Sequence, residues 1–357
     1  MFYCFYYDKE KLLNMKKKYI LGILLTVFSV STFAQQDAQF LLFPWATPYY
    51  NAGAIGEQSN TLCFTGIFRQ QYAGWKDTYV PTNSTDGTQL INTSPQQIYL
   101  SLESYLRKLH GGIGVTFIKD KIGFFNNVGV KLGYSFKLRI PTGTLGIGLQ
   151  VQMLSQKLDN SYFMPIQQGD ALLNSFTKDE SWLDLDFSFG LFYKADRWNA
   201  GIGMTQIAEK IRLSGDKNSY QMSRNMYIHG GYTWVLPWDP SWEIIPQALI
   251  KTDLATAQFD LMVLARYNGI LWGGLSYRIQ DAVSVLFGAR PFYNSSNNYL
   301  KGLEMGLGYS FTTSKLGYQK HRSYGDFEIV LRYCFDIYKE EVFSGYGSTR
   351  SIYKNQY

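Results

Sequence analysis

Histidine and cysteine are nearly absent from this chain of 357 residues, which holds 3 of each. His110, His229 and His321 lie far apart, with no partner at metal-ligand spacing. Cys4 falls in the leader, and the remaining pair, Cys63 and Cys334, is too few for a disulfide framework. No metal or other cofactor is therefore expected. An excess of one charge is missing too. The 34 basic and 28 acidic residues leave +6, and residues 1–34 hold +3 of it as five Lys against Asp8 and Glu10. That balance excludes the basic footprint of a nucleic-acid binder. Glycine strings such as Gly146-Ile147-Gly148 lack the strand–turn–helix setting of a phosphate loop. Beyond residue 34 no run of 18 apolar residues occurs, so no transmembrane helix is expected.

What is present begins with a leader. Met15-Lys16-Lys17-Lys18 is a basic n-region, Ile20–Phe33 an apolar core too short to span, and Thr32-Phe33-Ala34 a small-x-small cleavage site. The expected translation start is Met15 and the expected mature start Gln35. Residues 35–60, with Pro44, Pro48 and the small run Asn51-Ala52-Gly53-Ala54, read as a periplasmic segment that tucks into the strand-rich region after it. Residues 61–335 read as strands, and 336–357 as a polar tail.

Gly112–Leu154 carries the pattern in its clearest form. Val128, Val130, Leu132, Tyr134, Phe136 and Leu138 alternate with Gly129, Lys131, Gly133, Ser135, Lys137 and Arg139. Strand side chains alternate faces, so one face is greasy and the other carries glycine and charge. Strands of about ten residues with that split suit a transmembrane β-barrel, apolar to lipid and polar to the lumen. A soluble β-sandwich also alternates, but with shorter strands. The candidate strands number fourteen: 61–70, 96–106, 112–119, 127–139, 145–154, 182–193, 198–207, 225–235, 242–251, 257–267, 270–278, 281–290, 301–312 and 326–335. Connections 71–95, 155–181, 208–224 and 313–325 are long, and most of the intervening ones are short. Outer-membrane barrels have long outer loops and short periplasmic turns. The expectation is an all-β antiparallel barrel in the outer membrane, with both termini periplasmic. Two connections break the rule: 279–280 is short where a loop belongs, and 291–300 is long where a turn belongs.

Glu103, Lys131, Lys137, Asp184, Asp186, Asp260, Arg266, Glu304, Glu328 and Arg332 fall on the lumen face. Mixed signs point to a salt-bridged, filled lumen. Asp184 and Asp186 share a face but show neither the gap nor the environment of catalytic carboxylates. A lipid-acting barrel enzyme would need a nucleophile near His229, and no enzymatic activity is expected. The outer-loop aromatics Trp75, Tyr79, Tyr162, Phe163, Trp182 and Tyr220 suit protein recognition; the alternative is that they form the outer girdle. The N-terminal segment and the tail are the expected periplasmic contacts.

The chain resembles the PorP/SprF family of type IX secretion proteins. The resemblance rests on Gln35-Gln36-Asp37-Ala38-Gln39-Phe40, on Tyr50-Asn51-Ala52-Gly53, and on Arg69-Gln70-Gln71 with Trp75. It continues through Asp120-Lys121-Ile122-Gly123, Asn126-Asn127-Val128-Gly129 and Gly325-Asp326-Phe327-Glu328. It implies a non-enzymatic barrel of FadL-like size in the outer membrane, assisting export or surface attachment of a cargo such as a large adhesin. Implied partners are the cargo's C-terminal domain, periplasmic ring components, an OmpA-like peptidoglycan-binding protein, and membrane lipid with lipopolysaccharide. The second reading is a FadL-like or porin-type solute channel.

Overall fold

The computed structural model describes residues 37–58, 61–79, 89–159, 180–209, 211–214, 223–295, 297, 300–313 and 324–337. Fourteen long strands among them form one meander. They are β1 (Thr61–Gln70), β2 (Gln96–Leu106), β3 (Gly111–Ile122), β4 (Phe125–Ile140), β5 (Gly143–Leu158), β6 (Glu180–Lys194) and β7 (Trp198–Thr205). Then come β8 (Asn225–Tyr232), β9 (Trp242–Thr252), β10 (Ala257–Tyr267), β11 (Leu271–Arg278), β12 (Ala282–Ala289), β13 (Leu303–Thr312) and β14 (Asp326–Asp336). Each pairs antiparallel with the next, and β14 returns to β1 with Thr61 opposite Asp336 and Gln70 opposite Phe327. Closure leaves the meander no free edge, the condition for backbone polar groups to sit in hydrocarbon. Among the described residues, three short pairings lie outside it: Lys76–Tyr79 with Gln89–Asn92, Ile211–Ser214 on β6, and Trp234–Val235 on β9.

The connections sort by end. One mouth, here the loop mouth, carries 71–95, 159–179, 206–224 and 313–325, with tighter links at 123–124, 253–256 and 279–281. The other, the turn mouth, carries 107–110, 141–142, 195–197, 233–241, 268–270 and the longer 290–302. Both expected exceptions stand, so the strands of the last third are assigned as read.

The outward faces are apolar through the middle of the barrel. Leu132, Leu149, Leu275 and Phe287 are more than half exposed, and Val130, Phe136, Ile147, Ile202, Leu261 and Ile329 lie in the same band. Exposure of this kind around a closed barrel is a lipid face. Aromatic pairs flank it. Trp242 lies against Tyr267, and Tyr193 against Trp198, at the turn mouth; Tyr309 contacts Phe311 and Phe327 at the loop mouth. Amphipathic rings at the two ends match interfacial girdles. Leu132→Arg is expected to cost about 2–4 kcal/mol, because the charge faces the bilayer interior. Urea unfolding in lipid vesicles measures it; an unchanged midpoint would place Leu132 off the lipid face.

Cys63 and Cys334 lie opposite one another across the β1–β14 seam and are disulfide-bonded. Two cysteines set far apart in the chain are thus one staple across the line where the barrel closes. The bond encloses a loop 271 residues long in sequence separation. In the chain-entropy account a loop of that size gives on the order of 5 kcal/mol.

Candidate functional site: a lumenal plug and its clamps

Residues 37–57 run inside the barrel. The segment is built from short turns. Pro44 opens Phe43–Ala46, and Pro48 sits in the first turn of Thr47–Tyr50. Proline suits such positions because its fixed φ matches the turn and its missing N–H would lack a partner there anyway. Asn51 caps Ala52–Ala54, its side chain accepting from the Gly53 N–H at 2.9 Å. The path has a direction. Gln39 pairs with Gln258, and Arg69 donates to the Gln39 carbonyl, both wall residues being at strand ends by the loop mouth. Gly56 donates to Glu103, and Glu57 pairs with Lys194 at the turn mouth.

Apolar packing fills the middle. Phe40, Leu41, Leu42, Phe43, Trp45, Ala46, Tyr49 and Tyr50 form one buried cluster with inward Ile67, Tyr99, Ile118, Tyr227, Leu249, Met262, Leu264, Trp272, Leu286 and Val330. Trp45 stacks on Trp272 at 4.8 Å, and Tyr50 on Tyr227 at 5.3 Å. The lumen is therefore not uniformly polar. β4 and β5 present mostly charge, amide and glycine, whereas β10, β11, β12 and β14 bring Met262, Leu264, Trp272, Leu286 and Val330 against the plug.

Wall side chains hold the plug mainly by its backbone. Glu328 accepts from the Leu41 and Leu42 N–H groups at 2.6 and 2.7 Å. Lys251 donates to the Asp37 carbonyl at 2.7 Å, and Lys131 to that of Tyr49 at 2.9 Å. Lys137 and Ser135 both donate to the Gly53 carbonyl, at 2.7 and 2.9 Å, and Gln150 to that of Pro48 at 3.0 Å. The Lys131 ammonium also lies 3.8 Å from the Tyr49 ring centroid, a cation–π contact. Asp37 accepts from the hydroxyls of Tyr49 and Tyr227. Short backbone turns cannot pair all their own N–H and C=O groups, so these contacts meet a need the segment cannot meet alone. Arg69, wholly buried, bonds Asp326 at 2.8 Å and lies 3.8 Å from Glu328.

Wall glycines make room. A Cβ on Gly148 would stand 2.1 Å from the Ala52 carbonyl oxygen, and one on Gly203 would stand 2.0 Å from that of Tyr50. Gly112 and Gly146 meet the plug backbone almost as closely, and a Cβ on Gly190 would stand 2.0 Å from Asn51 Oδ1. The glycines of the polar face are thus a trench for the Tyr50–Gly56 stretch. Gly148→Val is expected to displace that stretch while the outward face stays intact. Protease resistance of 37–57 in folded barrels reads this out; a still-protected segment would mean the trench is not what seats it.

The expected site residues divide sharply. Asp37, Tyr50, Asn51 and Gly53 are buried in the plug, and Gln39 marks its loop-mouth end; Gln36 lies outside the described residues. Arg69 is a clamp. Asp120 and Asn127 are register partners facing inward, and Lys121 pairs with Asn126 one step nearer the loop mouth. Gln70 bonds the Pro95 carbonyl there. Of the outer-loop aromatics, one departs from the expectation. Trp182 belongs to β6, faces inward and is 3 % exposed, because its position shares parity with Asp184 and Asp186. Trp75 is half-buried beside Tyr72, and Tyr79 ends the short strand Lys76–Tyr79. Tyr162, Phe163 and Tyr220, and the tail beyond Ile337, lie outside the described residues. His229 packs against the plug: its Nε2 lies 2.8 Å from Asn51 Nδ2, and its ring stacks on Phe192. The N-terminal segment, read as periplasmic and tucking into the barrel, lies inside the wall over residues 37–57. Sequence reading missed Lys251 and the seating role of Glu328; the one signal for the plug was the small run Asn51–Ala54 beside so many inward glycines.

Residues 32–333 match the family described as type IX secretion system membrane protein PorP/SprF. No curated protein matches the chain. Among solved structures, the chain is similar to the Pseudomonas putida toluene transporter TodX at 12% identity and TM-score 0.47, over 86% of this chain and 95% of that one. A Pseudomonas aeruginosa FadL homologue matches at 12% identity and TM-score 0.41, over 82% and 94%. Acinetobacter baumannii Omp33 matches at 9% and 0.40, over 78% and 100%.

Proposed function

This chain belongs to the type IX secretion system membrane protein family PorP/SprF, and from that premise we propose that it acts in the outer membrane as a closed platform for a secreted cargo, not as the conduit. It engages the C-terminal domain of a cargo such as a large adhesin and assists its export or its attachment at the surface. Periplasmic ring components and an OmpA-like peptidoglycan-binding protein dock at the turn mouth, and lipid with lipopolysaccharide surrounds the wall. The observation that supports this reading is the lumen itself. A plug with an apolar core and clamped carbonyls at Asp37, Gln39, Pro48, Tyr49 and Gly53 leaves no path for a polypeptide. The same filling weighs against the solute channel. The non-enzymatic reading rests on the family and on a His229 already engaged by Asn51 and Phe192.

Deletion of the gene tests it. One or more cargo proteins are expected to accumulate in the periplasm or vanish from the cell surface, and a tagged barrel purified from native membranes should bring cargo or ring components with it. Normal surface delivery of every cargo would sink the proposal.

A further inference from the structure

The plug crosses the barrel from one mouth to the other, and its direction is opposite to what a periplasmic amino terminus needs. β1 starts at the turn mouth with Thr61. Going backward along the chain, Glu57 pairs with Lys194, the last residue of β6, and Gly56 bonds Glu103. Asn51 reaches the Leu191 carbonyl. Tyr49 lies by Lys131, in the middle of β4. Leu41 and Leu42 bond Glu328, near the start of β14, which leaves the loop mouth. Gln39 meets Gln258, the second residue of β10, and Asp37 meets Lys251, the penultimate residue of β9. Asp37 is thus at the loop mouth, a full barrel height from Thr61.

We infer that the processed amino terminus emerges at the loop mouth, on the same side of the membrane as the long loops and opposite the carboxyl end of β14. Cleavage after Ala34 leaves only Gln35 and Gln36 ahead of Asp37. Two residues reach at most roughly 7 Å, whereas the apolar band of such a barrel is about 25 Å tall. The terminus has no length to return. Gln39 at that mouth borders a cavity of about 460 Å³ together with Gln71, Tyr72, Gln258 and Asp281. The inference concerns threading alone and stands or falls independently of the secretion role.

Single-cysteine labelling tests it. In a Cys4→Ser background, with Cys63 and Cys334 occupied by their disulfide, a membrane-impermeant maleimide is applied to intact and to permeabilised cells. Leu254→Cys reports the loop mouth and Asp196→Cys the turn mouth, both positions being exposed. Gln36→Cys is expected to label as Leu254→Cys does. An epitope inserted between Gln35 and Gln36 gives the same readout by antibody, with a carboxyl-terminal epitope behaving as Asp196→Cys does. Labelling that tracks the turn-mouth reporter, or none under either condition, overturns the inference.

Discussion

A barrel lacking residues 37–56 conducts ions where the intact protein is silent. The deletion removes the buried apolar cluster of the plug and every backbone group the wall side chains hold. What remains is a closed 14-strand wall, and barrels of that size enclose a lumen wide enough for solutes. Conductance in planar bilayers is expected to rise by roughly an order of magnitude or more over the intact protein. Stability falls at the same time. Met262, Leu264, Trp272 and Leu286 lose their cover, each at about 1.5–3 kcal/mol for a side chain passing from core to water. The two readouts separate explanations. A deleted barrel that stays silent yet folds would assign the seal to the loops, and the platform reading would lose its main support.

Glu328→Ala is expected to be among the costliest single substitutions in the chain. Glu328 is 1 % exposed, accepts two plug N–H groups and lies 3.8 Å from Arg69. Truncating it strands those donors, each worth about 1–3 kcal/mol when orphaned, and leaves Arg69 with Asp326 as its remaining acidic partner. Breaking a buried pair in this way costs about 3–5 kcal/mol. Glu328→Gln keeps one acceptor and should lose distinctly less. The comparison is Glu209→Ala, which breaks an exposed pair with Arg224 and should cost at most about 1 kcal/mol. The temperature at which the folded barrel loses its fast gel migration ranks the three. Equal temperatures for Glu328→Ala and Glu209→Ala would mean that the clamp contributes nothing.

The wall was legible because strand parity leaves a plain trace. Along β4 each residue from Val128 to Leu138 faces the side its alternation requires, and Phe327, Ile329 and Leu331 do the same on β14. Lipid rejects charge, so every outward position carries the signal. The inward positions are less constrained one by one. Lys131, Lys137 and Gly148 look like lumen-facing polar or small residues whether the lumen holds water or a plug, and Trp182 looks like a loop aromatic until the length of β6 is known.

The plug left no periodic trace because it is neither helix nor strand for more than a few residues, and its stabilising partners are scattered from Arg69 to Glu328. The amino-acid sequence by itself determined the barrel, its strands, the two kinds of mouth and the family, since each depends on local alternation or on motifs contiguous in the chain. Tertiary structure alone decided three things: that Cys63 meets Cys334, that the glycines form a trench, and that residues 37–57 thread the lumen from the loop mouth to the turn mouth. All three rest on which strands become neighbours when the barrel closes, and closure brings together residues more than 100 positions apart, a relation that no local pattern encodes.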